Sequence, residues 1–123
     1  MIVIDYSDKR PIYEQIIERF RNLILSGVLE DNEKLPSVRA LAIELSINPN
    51  TIQRAYSELE REGFICSVKG KGNFVNLNKS LMEVEQSRML QELKTHLKKC
   101  KDFGIDVLQI EDCVKETFEE VTR

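Results

Sequence analysis

Asn48-Pro49 constrains this chain more than any other pair of residues in it. An asparagine side chain accepts a backbone N–H from the first turn of a helix. Proline has its φ preset for the first helical position, where the N–H it lacks would go unpaired anyway. A helix therefore starts at Pro49, and Ile52, Ala55, Tyr56 and Leu59 give it one apolar stripe before Gly63 stops it. Just upstream, Ser37 stands where an N-cap belongs, followed by Val38, Leu41, Ala42 and Leu45 at i, i+3, i+4 and i+7 spacing. A helix this short does not persist alone and has to be held by packing. Only Ser46-Ile47-Asn48 separates the two stripes, which specifies helix-turn-helix geometry.

The flanks supply a scaffold on one side and a hairpin on the other. The pattern predicts a first helix beginning near Pro11, taken as its first helical position, with Tyr13, Ile16, Ile17, Phe20 and Ile24 as the apolar stripe and Gly27 as its stop. Arg19 and Arg21 lie off that stripe, where solvated charges are expected. Residues 1–4 are β-prone and read as an edge strand or a segment packed on a neighbour; residues 28–34 read as a polar, acid-rich connection. Residues 64–68 and 73–75 pair as strands around Lys69-Gly70-Lys71-Gly72, whose glycines suit a tight hairpin turn. A basic hairpin directly after a helix-turn-helix has the outline of a wing.

Beyond Asn76 the pattern is purely helical. Leu81, Val84, Leu90, Leu93, Leu97 and Cys100 predict a long helix over about residues 80–102. Gly104 breaks it, and Asp106 caps a last helix with Val107, Ile110, Val114, Phe118 and Val121 in one stripe. Two amphipathic helices enclose little core, so their apolar faces need another surface. A second copy of the chain is the favoured partner, because helices that read DNA work as two-fold pairs; the alternative is a hairpin folded back on its own domain. The expected fold is mainly α with a small β wing: a winged helix-turn-helix over residues 1–76, then a two-helix C-terminal dimerisation tail over residues 77–123.

Composition narrows the function classes. Hydrophobic residues at 41% and charged residues at 32% describe an ordered cytoplasmic protein, with no apolar run near the roughly 18 residues of a membrane span and no secretory signal. Cys66, Cys100 and Cys113 lack CxxC spacing and read as reduced packing thiols; His96, the only histidine, excludes a multi-histidine metal site within one chain. No cofactor is implied. A net charge of −3 argues against a nucleic-acid partner in bulk. Placement argues otherwise: between Arg39 and Ser57 only Glu44 is acidic, and the hairpin tip carries two lysines and no acid.

The run LPSVRALAIELSINPNTIQRAYSELEREGF followed by KGKGNFV resembles the DNA-binding domain of the GntR family of bacterial repressors. Asn48-Pro49-Asn50-Thr51, Arg54-Ala55-Tyr56 and the short helical tail look like its YtrA-type branch, and the resemblance covers nearly the whole chain. It implies a homodimeric transcription factor binding an inverted-repeat operator, with related members controlling their own operon and neighbouring ABC transporter genes. It also matches Arg39, Asn48, Asn50, Thr51 and Gln53 to DNA-contact positions, and Gly70 and Gly72 to the wing glycines. Where many family members carry a turn arginine, this chain has Pro49, so a guanine-reading side chain is absent and the operator cannot be copied from them. The chain has no room for the family's larger effector domains, metal-binding or aminotransferase-like, and leaves any small-molecule effector unspecified.

The residues assign roles within that reading. Arg39 or Arg54 reaches a guanine or a phosphate; Asn50 or Gln53 supplies polar readout; Thr51 and the helix N-terminus hold a phosphate; Lys69 and Lys71 bring charge to the minor groove or backbone. A winged-helix protein-interaction module without DNA binding is the alternative, motivated by the acidic total. An enzyme is not expected: there is no phosphate loop, and Gly70-Lys71-Gly72 is too short for one.

Overall fold

The computed structural model describes residues 2–120, which form two compact units, Met1–Glu85 and Gln86–Arg123. The first unit holds α1 (Ile12–Leu25), α2 (Val38–Leu45), α3 (Pro49–Arg61), β1 (Ile65–Val68), β2 (Gly72–Val75) and the start of α4 (Lys79–Asp102). The second holds the rest of α4 and α5 (Val107–Glu119). The division falls inside α4 rather than at residue 76, because Met82 packs on the first unit's core and the Glu85 side chain is buried there.

The apolar stripes become one core. Ile16, Phe20, Ile52, Ala55 and Leu59 are wholly enclosed, with Tyr56 and Leu41 nearly so. Phe20 of α1 meets Tyr56 of α3 edge to face at 5.6 Å and 80°, a favoured arrangement for two aromatic quadrupoles. The Tyr56 hydroxyl donates to the Pro36 carbonyl at 2.8 Å, which ties α3 to the segment entering α2. Burial pushes that hydroxyl far above the ordinary tyrosine range, so it stays a donor at any working pH.

Four local expectations change. Pro11 caps α1 instead of opening it, accepting from Glu14 and Gln15 through its carbonyl. Residues 2–4 form no strand; Ile2 packs into the domain's own core, and Gln15 anchors this segment by exchanging two hydrogen bonds with the Asp5 backbone. Arg21 is not merely solvated: it pairs with Glu62 at 2.8 Å and lies over the Phe64 ring. Residues 28–34 are not only a connection, since Leu29 is buried and the backbone at 32–35 pairs with β2.

That pairing widens the hairpin. β1 and β2 are antiparallel, with Ile65 opposite Val75 and Val68 opposite Gly72. On the other edge of β2, Asn32 and Leu35 donate to Val75 and Asn73, Val75 donates to Glu33, and Lys34 pairs with Phe74. Alternation then sorts the faces: Leu35, Ile65 and Val75 point into the core, while Lys34 takes the outer face.

Gly63 links α3 to β1 and lies against the segment that enters α4. Its φ of +90° lies in the left-handed region, and an added Cβ would meet the Asn78 carbonyl oxygen at 2.8 Å. Neither the backbone nor its neighbour can yield easily. Gly63→Ala is expected to destabilise the protein by more than about 2 kcal/mol in urea unfolding; a loss within experimental error would show that the junction can adjust.

In the second unit, Asp106 and Gln109 form a capping box at the start of α5. Leu97, Cys100 and Ile110 are half-buried, but among the described residues of α5 none is buried. The expected apolar stripes are therefore present and largely uncovered, with Val121 lying outside the described residues.

Candidate DNA-binding surface

The first unit presents its polar residues in one sequence-ordered set. Arg39 is exposed in the first turn of α2. Ser37 caps that helix by accepting from the Ala40 N–H at 3.0 Å. Ser46 then takes a left-handed conformation and turns the chain. The Asn48 carboxamide accepts from the Asn50 N–H at 2.8 Å and is committed to the α3 cap. With Ile52, Ala55, Tyr56 and Leu59 inward, Asn50, Gln53, Arg54 and Ser57 face solvent and Thr51 is half-buried at the edge. Gln53 donates to the Ser57 hydroxyl at 3.1 Å, which holds two polar side chains side by side on this face.

Arg54 is placed differently from its neighbours. Its guanidinium lies 3.7 Å from the centroid of the Tyr13 ring on α1. Stacking occupies the flat face of the guanidinium and leaves its in-plane N–H donors available. Arg54 and Tyr13 also line a cleft of about 410 Å³ between α1 and α3, together with Arg21, Glu58 and Glu62.

The acids of α3 are engaged by internal partners. Glu58 holds Arg61, whose guanidinium beside it keeps the Glu58 carboxyl below its usual range. Glu60 accepts from the Ser67 backbone N–H at 2.7 Å and so ties α3 to β1. Glu62, at the C-cap, holds Arg21. All three carboxylates serve internal contacts, whereas Arg39, Arg54, Lys69 and Lys71 make no ion pair among the described residues. Among the described residues, Arg10, Arg21, Arg61 and Arg88 are the arginines bound to carboxylates.

At the wing tip Lys69, Gly70 and Lys71 are exposed. Gly72 has φ +118°, and a Cβ there would lie 3.1 Å from Cε of Lys34. Lys34 is the residue that sequence reasoning missed, since nothing before the pairing of residues 32–35 with β2 places it beside the wing. The signal in the sequence was the alternation Glu33-Lys34-Leu35 ahead of Pro36, with Leu35 as the inward member.

Three helices around one core, a helix-turn-helix and a two-stranded wing define a winged-helix DNA-binding protein. The family model for bacterial regulatory proteins of the gntR family matches residues 12–75, and the chain belongs to that family. The HTH-type transcriptional repressor YtrA of Bacillus subtilis (strain 168) is 37% identical over 98% of this chain and 95% of its own length. A solved transcriptional antiterminator from Listeria monocytogenes EGD-e is 31% identical, with a TM-score of 0.69, covering 100% of this chain and 97% of that one. The DNA-binding domain of AraR, solved in complex with operator ORE1, is 27% identical over 61% of this chain and 92% of its own, with a TM-score of 0.52. This chain is a GntR-family transcriptional regulator of the YtrA type with a DNA-binding winged helix; its family and relatives are regulators and not enzymes. Among the described residues no helix is long and apolar enough to cross a membrane.

Proposed function

We propose that the protein is a cytoplasmic, homodimeric repressor that binds an inverted-repeat operator in a promoter, with its own operon and neighbouring ABC transporter genes as targets. The observation that supports the DNA contacts is the division of charge: the acids at the C-terminal end of α3 are used internally while Arg39, Arg54, Lys69 and Lys71 are not. In this reading α3 enters the major groove by its N-terminal turn, with Asn50 and Gln53 on base edges. Asn48 orders the turn from its capping position, and Thr51 and the first N–H groups of α3 meet a phosphate. Arg39 reaches the backbone or a guanine from α2. Lys69 and Lys71 add charge at the wing, where Gly70 and Gly72 let the backbone approach.

Arg54 is read here as a phosphate contact, its in-plane N–H donors left available by the stack on Tyr13. Arg54→Ala should therefore weaken operator and random duplexes by similar factors. A loss confined to the operator, of about 1–3 kcal/mol, would instead make Arg54 a base reader. The homodimer rests on the tail, where Leu90 and Leu93 of α4 and Val107, Leu108 and Phe118 of α5 are exposed large apolar side chains. Footprinting the protein on its own upstream region tests the whole reading. Two protected half-sites about one DNA turn apart are expected; protection of a single site, or none, would contradict it.

A further inference from the structure

We infer that Lys34 is a third cation of the wing, making a backbone phosphate contact beside Lys69 and Lys71. The inference rests on the DNA-binding function proposed for the chain and adds to it a residue outside both the helix-turn-helix and the hairpin. Three observations place it. Lys34 pairs with Phe74 on the outer edge of β2, so its side chain leaves the sheet on the face opposite Leu35 and Val75. From there it runs toward the tip: its Cε lies 3.1 Å, and its Nζ 3.8 Å, from the position a Cβ would occupy on Gly72. Gly72 immediately follows the exposed Lys69-Gly70-Lys71 tip, so the ammonium is carried to the tip end of the hairpin.

The neighbouring charges leave that ammonium uncommitted. Glu33 precedes Lys34, but its carboxylate accepts from the Glu30 N–H and, by alternation, leaves the sheet on the other side. Lys34 itself makes no ion pair among the described residues. An exposed lysine whose stem runs beside Gly72 and that makes no ion pair among the described residues is suited to a polyanion backbone. Its contribution is to affinity without sequence preference.

The test measures the full chain, as wild type, Lys34→Ala and Lys34→Arg, against a random-sequence duplex and against its own upstream fragment across a salt series. Lys34→Ala is expected to weaken both DNAs alike and to lower the slope of log K against log salt by about 0.9 per phosphate no longer neutralised. Lys34→Arg is expected to restore the slope. Thermal unfolding of Lys34→Ala should match wild type because the side chain is exposed. Wild-type binding with an unchanged slope in Lys34→Ala overturns the inference and leaves the DNA-binding function standing. A wild-type chain without salt-sensitive binding overturns both.

Discussion

Leu90→Lys combined with Leu93→Lys is expected to leave the protein monomeric and to lower its affinity for an inverted-repeat operator by about 10²- to 10⁴-fold, the advantage that two linked half-site contacts hold over one. Leu90 is 65% and Leu93 49% exposed, so neither supports the fold of its own chain. They stand three residues apart on α4, with Leu97 and Cys100 continuing the same stripe at coiled-coil-like spacing. A charged pair on that seam would have to be desolvated for two copies to meet, and burying unpaired ammonium groups is strongly unfavourable. Sedimentation separates the outcomes. A double variant that still sediments as a dimer would place the interface elsewhere, whereas a monomer with unchanged operator affinity would detach dimerisation from DNA binding. Binding to random DNA should fall much less than binding to the operator, because the winged-helix unit, Met1–Glu85, packs its core independently of this seam.

The second large effect is on stability. Tyr56→Ala is expected to cost about 3–5 kcal/mol, the range for emptying an aromatic site in a core, against a total of roughly 5–15 kcal/mol for a domain of ordinary stability. Tyr56→Phe should cost only about 1 kcal/mol. The contrast separates two jobs of one side chain. The ring fills the space between α1 and α3 against Phe20, and the hydroxyl pairs with the Pro36 carbonyl. Removing the whole side chain loosens α3 on its scaffold and leaves that carbonyl without its donor. Urea unfolding of both variants measures the difference. Equal losses would mean that the hydrogen bond, and not the packing, holds α3 in place.

The helix-turn-helix was legible because its determinants are local. Caps at Ser37 and Asn48, the proline at the first position of α3 and the stop at Gly63 all act within a turn or two of themselves, and the structure uses each as written. The two tail helices were legible for the same reason, through their spacing and the Asp106 cap. Apart from the one-residue shift at Pro11, the features that escaped the sequence are partnerships across distance along the chain. Arg21 and Glu62 are 41 residues apart, and Lys34 meets Phe74 through a backbone pairing that no local pattern announces. Glu85, buried near the end of the first unit and bound by Arg61, looks in the sequence like any solvated helix residue.

By itself, then, the sequence determined the caps and stops of the helix pair, which stripe of each helix is apolar, and that a lysine-tipped hairpin follows the second helix of the pair. These depend on capping, proline geometry and periodicity, which need no knowledge of the rest of the chain. Only the tertiary structure decided which charges are paired within the chain and which are not. Glu58, Glu60 and Glu62 are withdrawn by partners on α3 itself, β1 and α1, while Lys34 is brought beside the wing by the pairing of residues 32–35 with β2. Electrostatic availability depends on which groups fold within hydrogen-bonding reach, and that is set by packing, not by composition.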